Sequence, residues 1–174
     1  MSLREIIKVP NPFLKVTAKP VTVIDDDILT ILDDMMETMY HANGIGLAAT
    51  QIAIDKRLIV MDCGKTKFES QNISEEEYNE KIKDKQIEPF PIKMINPEII
   101  SLGKSLEERE EGCLSIPGYN AKIKRPSSLK VKYTDENKKD NIIDAEGLLA
   151  TCIQHEIDHL NGDRKSTRLN SSHQ

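Results

Sequence analysis

The sequence predicts an α+β fold in which antiparallel strands pack around a C-terminal helix. Three observations support this prediction: an apolar stripe at helical spacing in the first quarter of the chain, several short apolar runs in the middle, and a second helical pattern near the end. With 174 residues, the chain is long enough for one domain whose core needs no disulfides. We expect this single domain to span residues 1–162.

The composition argues against two classes of partner. A net charge of -5 and an isoelectric point of about 5.5 disfavour a nucleic-acid-binding surface. The sequence has no apolar run near 18 residues and no secretory signal, so we expect no membrane span and no membrane partner. Its 3 cysteines, an odd number, fit a reducing compartment such as the cytoplasm.

The chain is predicted to begin with an extended arm, marked by Pro10, Pro12 and Pro20, and to continue into a helix. Consecutive aspartates at 25–27 provide an N-cap and negative charge for the first helical turn, so the helix is predicted over Asp26–His41. An apolar stripe on this helix is more typical of a core-facing surface than of a cofactor site. Its members are Ile28, Leu32, Met35, Met36 and Met39.

Short strands are predicted for the middle of the chain, where apolar and β-branched runs are bounded by turn residues. The predicted strands are 48–52, 58–62, 93–102, 128–133 and 141–146. Between residues 65 and 91 the chain is polar, charged and longer than most connections in compact domains. A capping pattern there predicts a short surface helix near 75–83, with a lid over a substrate cleft as the functional alternative.

The final helix is predicted over 147–161, with an Asn-Gly stop signal, and it carries the most informative residues. His155 and His159 are four residues apart, so both side chains lie on one face and can reach one ion. Glu156 lies beside them, within reach of a water on that ion. The segment therefore predicts a metal-binding helix with a proton carrier, although the same HExxH pattern also arises by chance on charged helices.

A catalytic site of this kind normally has three protein ligands, and the chain after His159 does not readily supply the third. The 15 residues that follow contain no Glu, no Cys and a single His. Cys152 lies about 10 Å from His159 along the helix axis, too far for both to bind one ion, and is interpreted as a packed residue. Cys63 and Cys113 remain as thiolate candidates. Cys63 follows an apolar run, as a buried thiol at a strand end does, whereas Cys113 lies between glycines and a proline that suit a sharply bent loop.

Three motifs, in this order along the chain, resemble those of the peptide deformylase family. They are GIGLAATQ at 44–51, EGCLS at 111–115 and QHEIDH at 154–159. The resemblance runs from about residue 3 to about residue 162. It implies an enzyme that removes the N-formyl group from the initiator methionine of newly made polypeptides, with N-formylmethionyl nascent peptides as its partners. It also implies a cytoplasmic location, or an organelle with bacterial-type translation.

The resemblance implies a role for each motif residue. By this resemblance the metal ligands are Cys113, His155 and His159, and the general acid and base is Glu156. The oxyanion is held by Gln51 and the Leu114 backbone amide. The substrate backbone pairs with Gly44, Ile45 and Gly46, and the substrate is also contacted by Glu111. Simpler alternatives remain for three of these sites: Gln51 as a polar residue on a half-buried strand, the glycines as a helix cap before a strand, and Glu111 as a solvated loop charge.

The chemistry of this ligand set suits hydrolysis. One thiolate and two neutral imidazoles leave a divalent ion with a net charge of about +1, enough to acidify a bound water toward neutral pH. Hydroxide then attacks a carbonyl carbon, while Glu156 accepts the water proton and later gives it to the leaving amine. An oxyanion donor such as Gln51 is typically worth about 3 kcal/mol.

The same ligands narrow the choice of metal. Sulfur and nitrogen donors suit Zn²⁺ or Fe²⁺ and disfavour Mg²⁺ and Ca²⁺, which prefer oxygen. The resemblance implies Fe²⁺ in the cell, with Zn²⁺, Ni²⁺ or Co²⁺ as substitutes.

Two other functions are compatible with the spacing of the motif residues alone. An HExxH endopeptidase would need a downstream ligand that this chain lacks, and a catalytically silent, metal-stabilised binding module would have no use for Glu156. Asp158 is expected to orient the site by pairing with a basic residue such as Arg125, or else to be an exposed charge.

Residues 163–174 depart from the family pattern, because they are polar throughout where deformylases generally continue with an apolar segment. We interpret them as a cloning-derived tail, with a natural truncation as the competing explanation. The resemblance ties docking on the ribosome to a C-terminal extension, so the ribosome is a doubtful partner.

Overall fold

Antiparallel sheets and a C-terminal helix form the fold, as predicted for an α+β protein. The computed structural model describes residues 2–65, 80 and 88–162. Its elements are α1 (Asp26–His41), β1 (Gly46–Ala48), β2 (Leu58–Asp62), β3 (Pro91–Leu102), β4 (Leu106–Cys113), β5 (Ile116–Pro126), β6 (Ser128–Thr134), β7 (Asp140–Glu146) and α2 (Gly147–Leu160). Five strands form one sheet in the order β1-β2-β3-β6-β7, and β4 and β5 form a separate two-stranded sheet.

The bounds predicted for α1 are confirmed. The Asp25 carboxylate caps the helix by accepting a hydrogen bond from the Ile28 N–H at 3.0 Å. At the other end of the helix, the residue in the left-handed conformation is Asn43, with φ of 59°, rather than Gly44. The Gly44 N–H instead donates to the Met39 carbonyl at 3.0 Å, which completes the helix-ending motif and turns the chain into β1.

The first strands of the large sheet lie between the two helices. Leu58 and Val60 of β2 belong to the apolar cluster around α1, whereas Ile59 and Met61 belong to the cluster around α2. Successive side chains of a strand point to opposite faces, so α1 and α2 cover the two faces of this strand. This two-sided burial explains why the β2 sequence is apolar without alternation.

The predicted strand at 48–52 is wrong for most of its length. The strand there, β1, ends at Ala48, and Ala49–Ile52 form a 3-10 helix whose residues are all buried. The chain turns because the Gln51 side chain accepts a hydrogen bond from the Ala48 N–H at 3.0 Å, and Ala53 then adopts φ of 61°. Burial of a compact turn, and not strand pairing, accounts for the apolar residues of this stretch.

The other predicted strands correspond to β2, β3, β6 and β7 within two residues at each end. The hairpin of β4 and β5 was not predicted, because its first strand is a run of charged residues. In the structure, residues of opposite charge face each other across the two strands, which favours their pairing. The facing pairs are Glu107 with Arg125, Glu108 with Lys124 and Glu110 with Lys122.

The predicted final helix is confirmed, and it ends at Leu160 with Asn161 as its C-cap and Gly162 at φ of 66°. Of the helix predicted near 75–83, only Glu80 is described, and the 163–174 tail lies outside the described residues. Among the described residues, neither helix has the length and hydropathy that a membrane-spanning segment requires.

Candidate metal centre

The last helix brings its two histidines together on one face. Their ring centroids are 5.0 Å apart, and the two Nε2 atoms are 3.3 Å apart. His159 and Glu156 are buried. The predicted i, i+4 geometry is therefore present, with both Nε2 atoms directed to one point.

The end of β4 supplies the third donor. Cys113 is the last residue of this strand, at an irregularity between Gly112 and Cys113 that changes the pairing register with β5. Such a bulge bends the strand and redirects a side chain. The Cys113 Sγ lies 3.4 Å from the His159 Nε2, and one donor atom from each of the three residues lies within 4.8 Å of the other two.

These separations fit one cation. Bonds of about 2.3 Å to sulfur and about 2.05 Å to nitrogen, at tetrahedral angles, require the nitrogens to be about 3.3 Å apart and sulfur about 3.6 Å from nitrogen. The observed distances, 3.3 Å and 3.4 Å, are close to both values. Three donors in this arrangement leave a fourth tetrahedral position for water or substrate.

The other two cysteines do not join this group. Cys152 is buried, and its Sγ lies 3.7 Å from the Ile45 carbonyl, which agrees with its interpretation as a packed residue. Cys63 is buried directly after β2, as predicted for a thiol at a strand end. None of the three thiols forms a disulfide with another described cysteine.

A buried ion-pair network holds His155 from behind. The Glu111 Oε1 accepts a hydrogen bond from the His155 Nδ1 at 2.9 Å, and Arg125 donates to both Glu111 oxygens at 2.7 and 3.0 Å. Arg125 also donates to Asp158 at 2.9 Å, so the predicted pairing of these two residues is confirmed. A carboxylate at Nδ1 fixes the proton there and leaves the Nε2 lone pair facing the metal position.

The electrostatics of the network favour an ionised Glu111 carboxylate beside a charged Arg125. Burial alone would raise the pKa of Glu111, but the hydrogen bonds from His155 and Arg125 outweigh it and lower that pKa. Burial likewise opposes the positive charge on Arg125, whereas Glu111 and Asp158 raise its pKa above the usual range. Glu111 is thus a buried anion within the protein and not the solvated loop charge of the simpler alternative.

The surroundings of the His155 ring attract positive charge. Burial opposes charging of the ring, yet Cys113, Glu111 and the nearby Glu156 together raise the pKa of His155 well above its ordinary value. A pocket of sulfur and carboxylate groups that favours a proton on an imidazole also favours a cation coordinated by it.

Glu156 lies against the backbone of β1. A Cβ on Gly46 would come within 2.6 Å of both the Glu156 Oε2 and the Cys152 Sγ. A side chain at position 46 would therefore displace the carboxylate or the thiol. The glycine is required by this close approach of α2, whatever else pairs with the strand.

Gln51 lies beside the Cys113 thiol, and Leu114 packs against the chain before β1. The Gln51 Nε2 lies 3.8 Å from the Cys113 Sγ and donates to the Ser115 Oγ at 3.1 Å. A Cβ on Gly44 would lie 2.6 Å from the Leu114 Cδ1, so the glycine allows the turn to pack closely on the chain before β1. Gln51 is buried, on a 3-10 helix rather than on a half-buried strand.

Two contacts of this site were missed by the sequence analysis. Ser115, which is buried and orients the Gln51 amide, belongs to the EGCLS motif but received no role. The pairing of Arg125 with Glu111 was also missed. The sequence does contain a signal for a charged hairpin, because a mostly acidic segment at 107–111 is followed by a mostly basic one at 122–125.

Comparison with known proteins gives a consistent result. The family model for polypeptide deformylases matches residues 3–174. The chain is 45% identical to a peptide deformylase of Methylocella silvestris over 162 residues, which are 93% of this chain and 74% of that protein. It is 44% identical over 162 residues to one of Rhizobium meliloti, covering 93% and 82% of the two chains.

Solved structures of peptide deformylases have the same fold as this chain. The crystal structure of a peptide deformylase from Thermotoga maritima matches with a TM-score of 0.78 and 35% identity, over 94% of this chain and 95% of that one. One from Ehrlichia chaffeensis, in complex with actinonin, matches with a TM-score of 0.80 and 38% identity, over 94% and 87%.

Proposed function

The chain belongs to the peptide deformylase family, and on that premise we propose that it removes the N-formyl group from the initiator methionine of newly made polypeptides. The observation that carries this proposal is the convergence of one sulfur and two nitrogens beside a buried carboxylate. N-formylmethionyl nascent peptides are the proposed partners. The cytoplasm is the proposed location, because newly made chains, the proposed substrates, are found there.

Peptide deformylases are metal-dependent, and Cys113, His155 and His159 are the proposed ligands. We propose Fe²⁺ as the cellular ion, as the family resemblance implies, with Zn²⁺, Ni²⁺ or Co²⁺ as substitutes. The mixed sulfur and nitrogen donors are compatible with each of these ions and do not choose among them. When bound, the ion supplies a Lewis acid that acidifies water and polarises the formyl carbonyl. Glu111 holds the His155 Nδ1 and so fixes the ring that presents its Nε2.

Glu156 is the proposed proton carrier. Its carboxylate takes a proton from the attacking water and delivers it to the nitrogen of the departing amine, so one group serves both halves of the reaction. Support comes from its burial beside the two histidines and from the close approach to Gly46, which leaves the carboxylate little freedom to move.

Gln51 and the backbone amide of Leu114 are the proposed donors to the oxyanion. The Gln51 carboxamide is held at its oxygen by the Ala48 N–H, so its Nε2 is preorganised toward Cys113 and the turn that carries Leu114. A neutral amide donor stabilises negative charge on the formyl oxygen without adding charge to the ground state.

The substrate backbone is proposed to pair with Gly44, Ile45 and Gly46. Support comes from the position of β1 at the edge of the large sheet, where an extended peptide can add as a further strand. Glu111 was expected to contact the substrate, but both of its oxygens already bind protein groups, so we assign it to the support of His155 instead.

Anaerobic turnover tests the proposal. The protein is incubated with formyl-Met-Ala-Ser, product masses and formate are measured, and the metal content of the same sample is determined. We expect one formate for each free amine, an intact peptide chain, and a rate that scales with bound metal. Cleavage of an internal peptide bond would indicate an endopeptidase, and a metal-loaded protein without turnover would indicate a binding module. Either result would contradict the proposal.

A further inference from the structure

Asp62, at the end of β2, has a buried carboxylate whose two oxygens accept three hydrogen bonds. The Tyr40 hydroxyl donates to Oδ2, and the backbone N–H groups of Gly64 and Phe90 donate to Oδ1 at 3.0 and 2.8 Å. A buried carboxylate is costly unless it is hydrogen-bonded in this way, so these contacts determine its position. The carboxylate therefore joins the last turn of α1 to the chain segments that flank the β2–β3 connection.

The backbone of Asp62 makes a second connection, to the strand edge. Its N–H donates to the Ile45 carbonyl at 2.9 Å. The Ile45 carbonyl therefore faces β2, and because the backbone polar groups of successive residues point in opposite directions, those of Gly46 face away from β2. The direction away from β2 is the open edge of the sheet, because β1 has its only sheet neighbour in β2 within the described chain.

Tyr40 and Ile45 lie on the two sides of the turn between α1 and β1. Asn43, in the left-handed conformation, forms the bend between them, and β1 itself has only 3 residues. So short an edge strand is poorly held by its own pairing. Asp62 restrains the segment at both ends, through its side chain at Tyr40 and through its backbone at Ile45.

We infer that Asp62 is a positioning residue for the peptide portion of the substrate, because it holds the 44–46 edge in the conformation that a second strand can pair with. The inference rests on the proposed pairing of substrate with this edge. Ordering the edge before binding removes a conformational cost that each productive encounter would otherwise bear. Asp62 does not contact the reacting atoms, so its effect falls on binding of the peptide rather than on the chemical step.

The Tyr40 hydroxyl is suited to this role over the working pH range. Burial and the neighbouring Asp62 carboxylate raise the pKa of Tyr40, so the phenol stays protonated and continues to donate.

The test compares substrates with and without a peptide chain. Tyr40→Phe removes the connection to α1, and Asp62→Asn weakens all of the side-chain connections. Tyr133→Phe, on β6, serves as the matched control. For each variant, kcat and KM are measured with formyl-Met-Ala-Ser and with formyl-Met, which has no downstream residues to pair with the edge, and folding is checked by circular dichroism and metal content.

We expect the KM for formyl-Met-Ala-Ser to rise about three- to ten-fold in Tyr40→Phe and Asp62→Asn, the range that one hydrogen bond supports. We expect kcat to stay within about two-fold for both substrates, as a loss of binding alone requires. If Asp62→Asn does not fold, Tyr40→Phe decides the question.

Two outcomes would overturn the inference. One is an unchanged KM for the tripeptide in a folded Tyr40→Phe variant. The other is an equal loss on both substrates, which would indicate a general structural role. Absence of formate release by the unmodified metal-loaded enzyme is a different result, because it would overturn the proposed function and this inference with it.

Discussion

The two helices of the protein are held in place by different means. α1 buries an apolar stripe, begins with a carboxylate cap at Asp25 and has two further acids in its first turn. α2 begins at Gly147 without a side-chain hydrogen bond at its N-cap, and its buried residues include Gln154, Glu156 and His159. The sequence of α1 therefore favours the helix locally, whereas α2 depends on partners elsewhere in the chain.

Because α2 depends on distant partners, its buried polar groups can be held in one fixed geometry, which a catalytic site requires. Polar side chains that remain buried need fixed partners, and α2 obtains them from the hairpin through Glu111 and Arg125. Such a helix can hold reactive groups in one geometry, but loss of any one partner disturbs that geometry. The contrast predicts that changes on α2 and its partners act strongly on activity and stability, and that matched changes on α1 act weakly.

The largest expected effect is that of Glu156→Gln on turnover. The carboxamide keeps the size of the side chain but cannot carry the proton, so we expect kcat to fall about 10²- to 10⁴-fold, the usual range for a general acid or base. Metal content should stay unchanged. Glu37→Gln, the same change on α1, is the control and should leave kcat within about two-fold. Retention of wild-type kcat in Glu156→Gln would remove this residue from the mechanism.

The next effect is on stability, in the network behind His155. Arg125→Met leaves the buried Glu111 carboxylate without its cation, which should cost about 3–5 kcal/mol in the free energy of unfolding by urea. The comparison pair at α1 is Lys93 with Asp33, at 2.7 Å and with the Asp33 side chain 46% exposed. Lys93→Met should cost less than about 1 kcal/mol because solvent screens that pair. Similar losses in the two variants would contradict the contrast between the helices.

A smaller effect is expected at the cap of α1. Asp25→Ala removes the acceptor for the Ile28 N–H, which typically lowers the free energy of unfolding by about 1 kcal/mol. Activity at a temperature where the variant is fully folded should not change, because the cap is remote from the metal ligands. A loss of kcat without a loss of stability would show that α1 takes part in the site.

The smallest expected effect is a pH-dependent one at Asp34. Burial raises the pKa of this carboxyl, but the Ser2 N–H and Arg4 outweigh it and lower that pKa below its usual value. A lowered pKa in the folded state contributes stability that is present above about pH 4 and is lost as the pH falls through the folded-state value. Asp34→Asn should therefore lower stability by less than about 1 kcal/mol at pH 7, since Arg4 is partly exposed.

The difference in free energy of unfolding between the wild-type protein and Asp34→Asn should then narrow below pH 4. Urea unfolding at several pH values measures this difference. Asp33→Asn is the neighbouring control. A stability difference that is independent of pH in the Asp34→Asn comparison would show that the Asp34 charge is not the cause.

The sequence predicts the two helices better than the chain between them. The bounds of α1 follow from its aspartates and its stripe, and the His155 and His159 pair follows from helical spacing. Both depend on residues near each other along the chain, so local patterns suffice. For the third donor, the sequence around each cysteine left two candidates, Cys63 and Cys113. The family motif then selected Cys113.

The missed features depend on contacts between distant residues. The charged strand β4 is stable because β5 supplies opposite charges, and the turn at Ala49–Ile52 depends on the Gln51 side chain folding back to Ala48. Glu111 looks like a surface charge in the sequence, and only the fold brings Arg125 and His155 to its two sides. Tertiary partners override local preference at each of these positions.

X-ray absorption at the metal edge of the loaded protein would identify the atoms that bind the ion. We expect one sulfur at about 2.3 Å and two nitrogens at about 2.0–2.1 Å from the ion, with the sulfur signal lost in Cys113→Ser. A first shell of nitrogen and oxygen alone, or an identical spectrum from Cys113→Ser, would contradict it.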